Sequence, residues 1–129
     1  MTQNKNCTLK FPKHKRKKQH RIHKDSILHK KDGTCYLCRK EGNWRIYGYT
    51  EEHHVFGGPL RKMSEAEGLK VYLCPEHHRT GKHAVHKDAA VARILKQEAQ
   101  RAYEKRNSHD AFMALTGKNY LEDSDVHPV

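Results

Sequence analysis

The chain has 129 residues, 35% of them hydrophobic, and its 26 lysines and arginines against 15 acids give a formal charge of +11 at neutral pH. That length suits one small domain with tails and excludes a large multidomain enzyme. No apolar run approaches the roughly 20 residues of a membrane-spanning helix, and the opening residues lack the apolar stretch of a secretory signal.

The charge is concentrated. Residues 1–31 hold eleven of the basic side chains, among them Lys13, Lys15, Arg16, Lys17, Lys18 and Arg21, against the single acid Asp25. The remainder is almost neutral. The expectation is a disordered basic arm over residues 1–31 that binds a polyanion, because each phosphate neutralised releases counterions. A solvated tail without a ligand is the plainer alternative. An anionic membrane suits the arm less well, since it shows no apolar face.

In chain order, Asp32-Gly33 signals a turn, and Cys35-x-x-Cys38 forms a tight knuckle. Trp44 to Tyr49 alternates apolar and polar residues, which predicts a half-buried strand. Its aromatics are expected in a small core, with stacking on bases as the alternative. Glu52 to Phe56 is a further extended segment, broken by Gly57-Gly58-Pro59. Ser64 to Gly68 predicts one helical turn, with Ser64 and Glu67 as a capping box and Gly68 as the stop. Lys70 to Cys74 is rich in β-formers, and Pro75 suits the start of a helix carrying Glu76, His77 and His78. Asp88 caps a helix reaching about Arg106, with Val91, Leu95, Ala99, Ala102 and Tyr103 on one face. That stripe is core or a partner-facing surface, and its length permits a homodimer. Ser108 caps a last helix with Ala111, Phe112 and Leu115 inward and Gly117 as its stop. Glu122 to Asp125 forms a polar tail. The pattern is small α+β in three parts: the arm 1–31, a motif-bearing core 32–88, and a helical extension with tail 89–129.

Cys7 has no companion in the arm. Cys35 and Cys38 make one ligand pair and Cys74 and His77 another, each spaced so that two side chains of one turn reach the same ion. Three thiolates and one imidazole suit structural Zn²⁺, and a short chain with a thin core needs such a staple. A disulfide framework is not expected from this count.

Three further histidines, His53, His54 and His78, flank these pairs. Adjacent strand residues point to opposite sides, so His53 and His54 cannot share a task. One can ligate a second ion while the other faces a substrate. A neutral histidine near its ordinary pKa of about 6.5 can take a proton from water, and a divalent ion can polarise a phosphate. That chemistry is phosphodiester hydrolysis. Arg61, Lys62 and Lys70 are candidate phosphate contacts, with a solvated face as the default.

Cys35-x-x-Cys38, Glu52-His53-His54 and Leu73-Cys74-Pro75-Glu76-His77-His78 together resemble the HNH superfamily of ββα-metal nucleases. The likeness is to its zinc-stapled members, the phage endonuclease VII group and small prophage proteins, and covers residues 33–88. It implies a zinc-stapled ββα-metal core that acts as a DNA endonuclease. His54 would be the general base, and His53 and His78 would ligate the catalytic ion. Cys35, Cys38, Cys74 and His77 would hold the structural zinc. His86 is a further candidate ligand if the helix runs on through Gly81. His83 is a weaker one, and Glu52 a candidate acid on the strand face opposite His53. The loop from Gly57 to Leu69 contains no asparagine, the middle letter of the motif. Mg²⁺ or Mn²⁺ is the expected catalytic ion, with Ni²⁺ or Zn²⁺ as alternatives. DNA is the expected partner, without a membrane or small-molecule cofactor. The resemblance also implies a phage or prophage origin and a bacterial cytoplasm. The rival reading is a non-catalytic zinc-containing DNA-binding or RNA-binding protein.

Overall fold

A computed structural model describes residues 22–121. The helices and strands are α1 (Tyr36–Lys40), β1 (Glu51–His54), α2 (Arg61–Glu67), β2 (Lys70–Leu73), α3 (Ala89–Glu104) and α4 (His109–Thr116), with a 3₁₀ turn at Gly58–Leu60 and a π-helical turn at Glu76–Thr80. The fold is small α+β. Among the described residues, no helix is long and apolar enough to cross a membrane.

The sheet has two antiparallel strands, β1 and β2. Glu51 pairs with Leu73, Glu52 with Tyr72, His53 with Val71 and His54 with Lys70. The expected strand at Trp44–Tyr49 does not form. That stretch is a loop, and Trp44, Ile46 and Tyr49 are 61%, 66% and 62% exposed. Alternation recorded a loop that turns one aromatic inward, not a pleat. Tyr47 is tied to the body at both ends, its N–H donating to Gly33 O at 2.8 Å and its hydroxyl lying 3.0 Å from Cys38 Sγ.

The helix before β2 is longer than expected and starts at Arg61, so Ser64 lies inside it and is not its cap. Ser64 is fully buried. Its Oγ accepts from Phe56 N–H at 3.2 Å and donates to Leu69 O at 2.5 Å, joining the two chain segments that leave and enter the sheet. Gly68 does end the helix, at φ +73°. A Cβ there would fall 2.3 Å from Asp25 O, so both the left-handed backbone and the close approach demand glycine.

That approach corrects the boundary of the arm. Residues 22–31 belong to the folded body. Ile27 N–H donates to Gly68 O at 2.9 Å, Ser26 Oγ donates to Lys70 O, and Tyr72 N–H donates to His29 Nδ1 at 3.1 Å. The segment covers the edge of β2 that β1 leaves open, a common way to protect a sheet edge. Lys13, Lys15, Arg16, Lys17, Lys18 and Arg21, the predicted nucleic-acid contacts of the arm, lie outside the described residues, as do Cys7 and the acidic tail.

β2 is buried along its length, and Val71 and Leu73 join a core with Leu37, Val55, Phe56, Leu69, Leu95 and Phe112. Asp88 caps α3 by accepting from Ala90 N–H at 3.0 Å, and Ser108 caps α4 by accepting from Ala111 N–H at 3.0 Å. Both helices follow their expected limits closely, and Gly117 stops α4 at φ +77°. Phe112 packs edge-on against Phe56, with ring centroids 5.8 Å apart, which fastens the helical extension to the segment following β1. Buried Gln100 fixes the chain beyond α4: its Oε1 accepts from Tyr120 N–H and its Nε2 donates to Asn119 Oδ1, both at 2.8 Å.

Candidate functional site

Two turns bring the first cluster together. Cys35 is the N-cap of α1, Cys38 lies one turn on, and Cys74 and His77 flank the start of the π-helical turn. Cys38 and Cys74 Sγ are 3.9 Å apart, and His77 Nδ1 stands 3.5, 3.3 and 3.3 Å from the sulfurs of Cys35, Cys38 and Cys74. A disulfide requires about 2.05 Å, so no two sulfurs are bonded. Ligand distances of about 2.3 Å to sulfur and 2.1 Å to nitrogen give tetrahedral edges of about 3.5–3.8 Å. The observed spacings match. This buried Cys₃His cluster can hold a structural metal ion such as zinc.

Its surroundings suit that role. The far nitrogen of the imidazole, His77 Nε2, donates to Glu41 at 3.2 Å, which presents Nδ1 to the sulfurs. Burial pushes the Cys38 thiol up to about 12 and raises Cys35. Against the same burial, hydrogen bonds from His77 lower the Cys74 thiol instead, so the three sulfurs are not equivalent. A bound cation would deprotonate all three and bind them as thiolates.

The second cluster gathers His53, His78 and His86, whose ligand atoms lie within 4.8 Å of one another. His53 comes from β1, His78 from the π-helical turn and His86 from the loop before α3. Helical periodicity does not place His86. Gly81 ends the turn, where a Cβ would meet Glu76 O at 2.7 Å. The chain then doubles back, with Val85 N–H donating to His77 O at 2.8 Å and His86 N–H to His78 O at 3.4 Å. His78 and His86 Nε2 end 2.9 Å apart. Glu51 Oε1, on the same strand face as His53, accepts from His78 Nδ1 at 2.5 Å and leaves Nε2 as the inward lone pair. Burial, with His78 and His86 nearby, pushes His53 down to about 3. Burial lowers His86 too. Both rings are therefore neutral at pH 7, the form that binds metals. His83 does not join them: it is exposed and bonds to Asp88 Oδ2 at 3.0 Å.

No family model, curated protein or solved structure matches the chain.

His54 occupies the other face of β1, as strand alternation requires. Its Nε2 donates to Glu65 Oε1 at 2.7 Å, and Arg61 Nε donates to its Nδ1 at 3.4 Å. Glu52, also on this face, lies 3.6 Å from Nε2. Lys70 Nζ stands 3.0 Å from Glu65 and 3.3 Å from Glu52, so it is a buried internal counter-ion and neither a solvated side chain nor the candidate phosphate contact. Burial would raise Glu65, but hydrogen bonds from His23, His54 and Lys70 outweigh it and pull the carboxyl down to about 2. Glu65 is thus a fixed anion that holds the proton of His54 on Nε2 and leaves Nδ1 as the acceptor. Arg61 and Lys62 are both exposed on α2.

Sequence reasoning missed Glu41, Glu51 and Glu65, the carboxylates that orient His77, His78 and His54. Glu51 carried a usable signal, two residues before His53 and so on its face. Glu41 and Glu65 carried none, because tertiary packing alone brings them to their histidines.

Proposed function

We propose that this chain is a metal-dependent endonuclease of HNH type, hydrolysing phosphodiester bonds in DNA. The supporting observation is the convergence of His53, His78 and His86 from three segments, next to an oriented His54 on the opposite strand face. A pure scaffold has no use for three imidazoles facing one another beside a separate Cys₃His cluster.

A divalent ion held by His53, His78 and His86 would polarise the phosphate and stabilise charge on the departing oxygen. The all-imidazole donor set favours Mn²⁺, Ni²⁺ or Zn²⁺ over Mg²⁺. His54 accepts a proton from water at Nδ1, and Glu65 stabilises the imidazolium that results. Exposed Arg61 exchanges its long contact to Nδ1 for a phosphate oxygen, which uncovers the base. Glu65, bonded to Nε2, orients that base. The excess charge before residue 32 supplies affinity for the polyanion.

Plasmid nicking with and without Mn²⁺ tests this reading. The intact chain should nick, and His54→Ala should lower the rate by about 10²–10⁴-fold, the range for loss of a general base, with DNA binding and zinc content retained. DNA binding without cleavage under every ion would instead assign a non-catalytic binding protein.

A further inference from the structure

The loop between α1 and β1 exposes Trp44, Ile46 and Tyr49, each more than three-fifths open to solvent. Large apolar side chains clustered on a surface usually mark a binding face. Here the loop is also stiff. Asn43 N–H donates to Cys38 O at 2.8 Å, Arg45 N–H to Asn43 Oδ1 at 3.0 Å, and Tyr47 is anchored at both ends to the Cys₃His region. The rings are therefore held out by a braced loop.

The charge beside them is cationic. The Arg39 guanidinium lies 4.3 Å from the Trp44 ring centroid, and the Arg45 guanidinium 4.9 Å from that of Tyr47. Neither arginine forms an ion pair among the described residues. Arg79 acts electrostatically on Tyr49 and Glu51. The nearby acids are occupied: Glu41 meets His77, and Glu51 meets both His78 and the Tyr49 hydroxyl, the latter at 2.9 Å. That last link joins the loop to the histidine cluster, since Glu51 touches Tyr49 with one oxygen and His78 with the other.

We infer that the Trp44–Tyr49 loop is a stacking platform for unpaired bases, so that the substrate is a nucleic acid with a single-stranded stretch. Arg39 covers one face of Trp44, and a base seated on the open face completes a sandwich of guanidinium, indole and base. Base–aromatic stacking needs an unpaired ring and tolerates any sequence, while the arginines meet the flanking phosphates. In a closed duplex the base faces are already stacked on one another and cannot enter. The inference rests on the nucleic-acid reading above, but not on cleavage.

Trp44 is the one tryptophan of the chain, and so reports on itself. The intact chain without added divalent ions is titrated with an oligothymidylate, a blunt duplex of equal charge, and heparin as a polyanion without bases. Trp44 fluorescence should be quenched by the oligothymidylate alone. Labelled-oligonucleotide anisotropy should show Trp44→Ala binding the single strand about tenfold more weakly, duplex affinity changed less than about twofold, and Trp44→Phe close to the parent. Equal quenching by heparin, or unchanged single-strand affinity in Trp44→Ala, would overturn the inference. So would a self-association that Trp44→Ala abolishes at constant oligonucleotide affinity, which would give the face to a second copy. With Mn²⁺ added, absence of cleavage of both plasmid and oligothymidylate with the Trp44 response intact removes the nuclease reading alone; cleavage without that response removes the platform alone.

Discussion

Glu51 accepts a 2.5 Å hydrogen bond from His78 Nδ1, and this contact aims Nε2 of the same ring at His86, 2.9 Å away. The carboxylate fixes both tautomer and ring plane, so it belongs to the histidine cluster as much as the imidazoles do. Glu51→Gln retains the shape and loses the charge. It should weaken Mn²⁺ binding by about 10–100-fold, the usual effect of losing such a partner. Calorimetric titration of parent and variant measures it, and equal affinities would remove Glu51 from the site.

His86 and His83 should separate cleanly. His86→Ala deletes one of three facing nitrogens and should lower ion affinity at least about tenfold. His83→Ala loses only an exposed contact to Asp88 and should change stability by less than about 0.5 kcal/mol, with ion affinity unaltered. Titration and urea unfolding of both variants check the contrast.

Loss of an ion bound at the Cys₃His cluster should unfold the core. Cys35 and Cys38 sit on α1 and Cys74 and His77 beyond β2, so the cluster joins segments about 35 residues apart. Metal binding contributes about 10–16 kcal/mol in zinc-finger peptides, enough to decide whether a small domain folds. Cys74→Ser, or a strong chelator, should abolish cooperative thermal unfolding followed by circular dichroism. A sharp transition surviving complete metal loss would show that the apolar core suffices.

Glu65 predicts an acid-sensitive term. Its carboxyl titrates near 2 when folded and near 4.5 when unfolded. The stabilisation is therefore complete above about pH 4.5 and lost as pH falls towards 2, because the unfolded chain takes up the proton first. Glu65→Gln should flatten the fall in urea midpoint over that window. The comparison is between parent and variant, since protonation of the thiolates and imidazoles weakens both alike. Parallel curves would mean that Glu65 is not ionised against His23, His54 and Lys70.

Much of the site could be read before the fold was known, for a local reason. Cys35 and Cys38, and Cys74 and His77, sit within single turns, where spacing alone decides whether two side chains can meet. His53 and His54 separate by strand alternation, which is equally local. What was hidden depends on packing. His86 reaches His78 through a chain reversal after Gly81, which no periodicity encodes. Glu65 meets His54 because α2 begins at Arg61, whereas the Ser64/Glu67 pattern suggested a later start and a cap. Trp44 to Tyr49 alternates apolar and polar residues as a strand would, yet among the described residues no strand pairs with it. Residues 22–31 share the arm's composition, but Ser26, Ile27 and His29 find backbone partners on β2 and at Gly68.

The register of β1 carries a particular vulnerability. One peptide bond separates His53 from His54, and the pairing of His53 with Val71 decides which imidazole faces His78 and which faces Glu65. A one-residue slip of β1 against β2 would exchange their faces, leaving composition and charge unchanged but the surroundings of the two imidazoles transposed. Length variation should therefore be excluded from the connection between the two strands, which Val55 N–H closes by donating to Leu69 O at 3.0 Å and which sets this register.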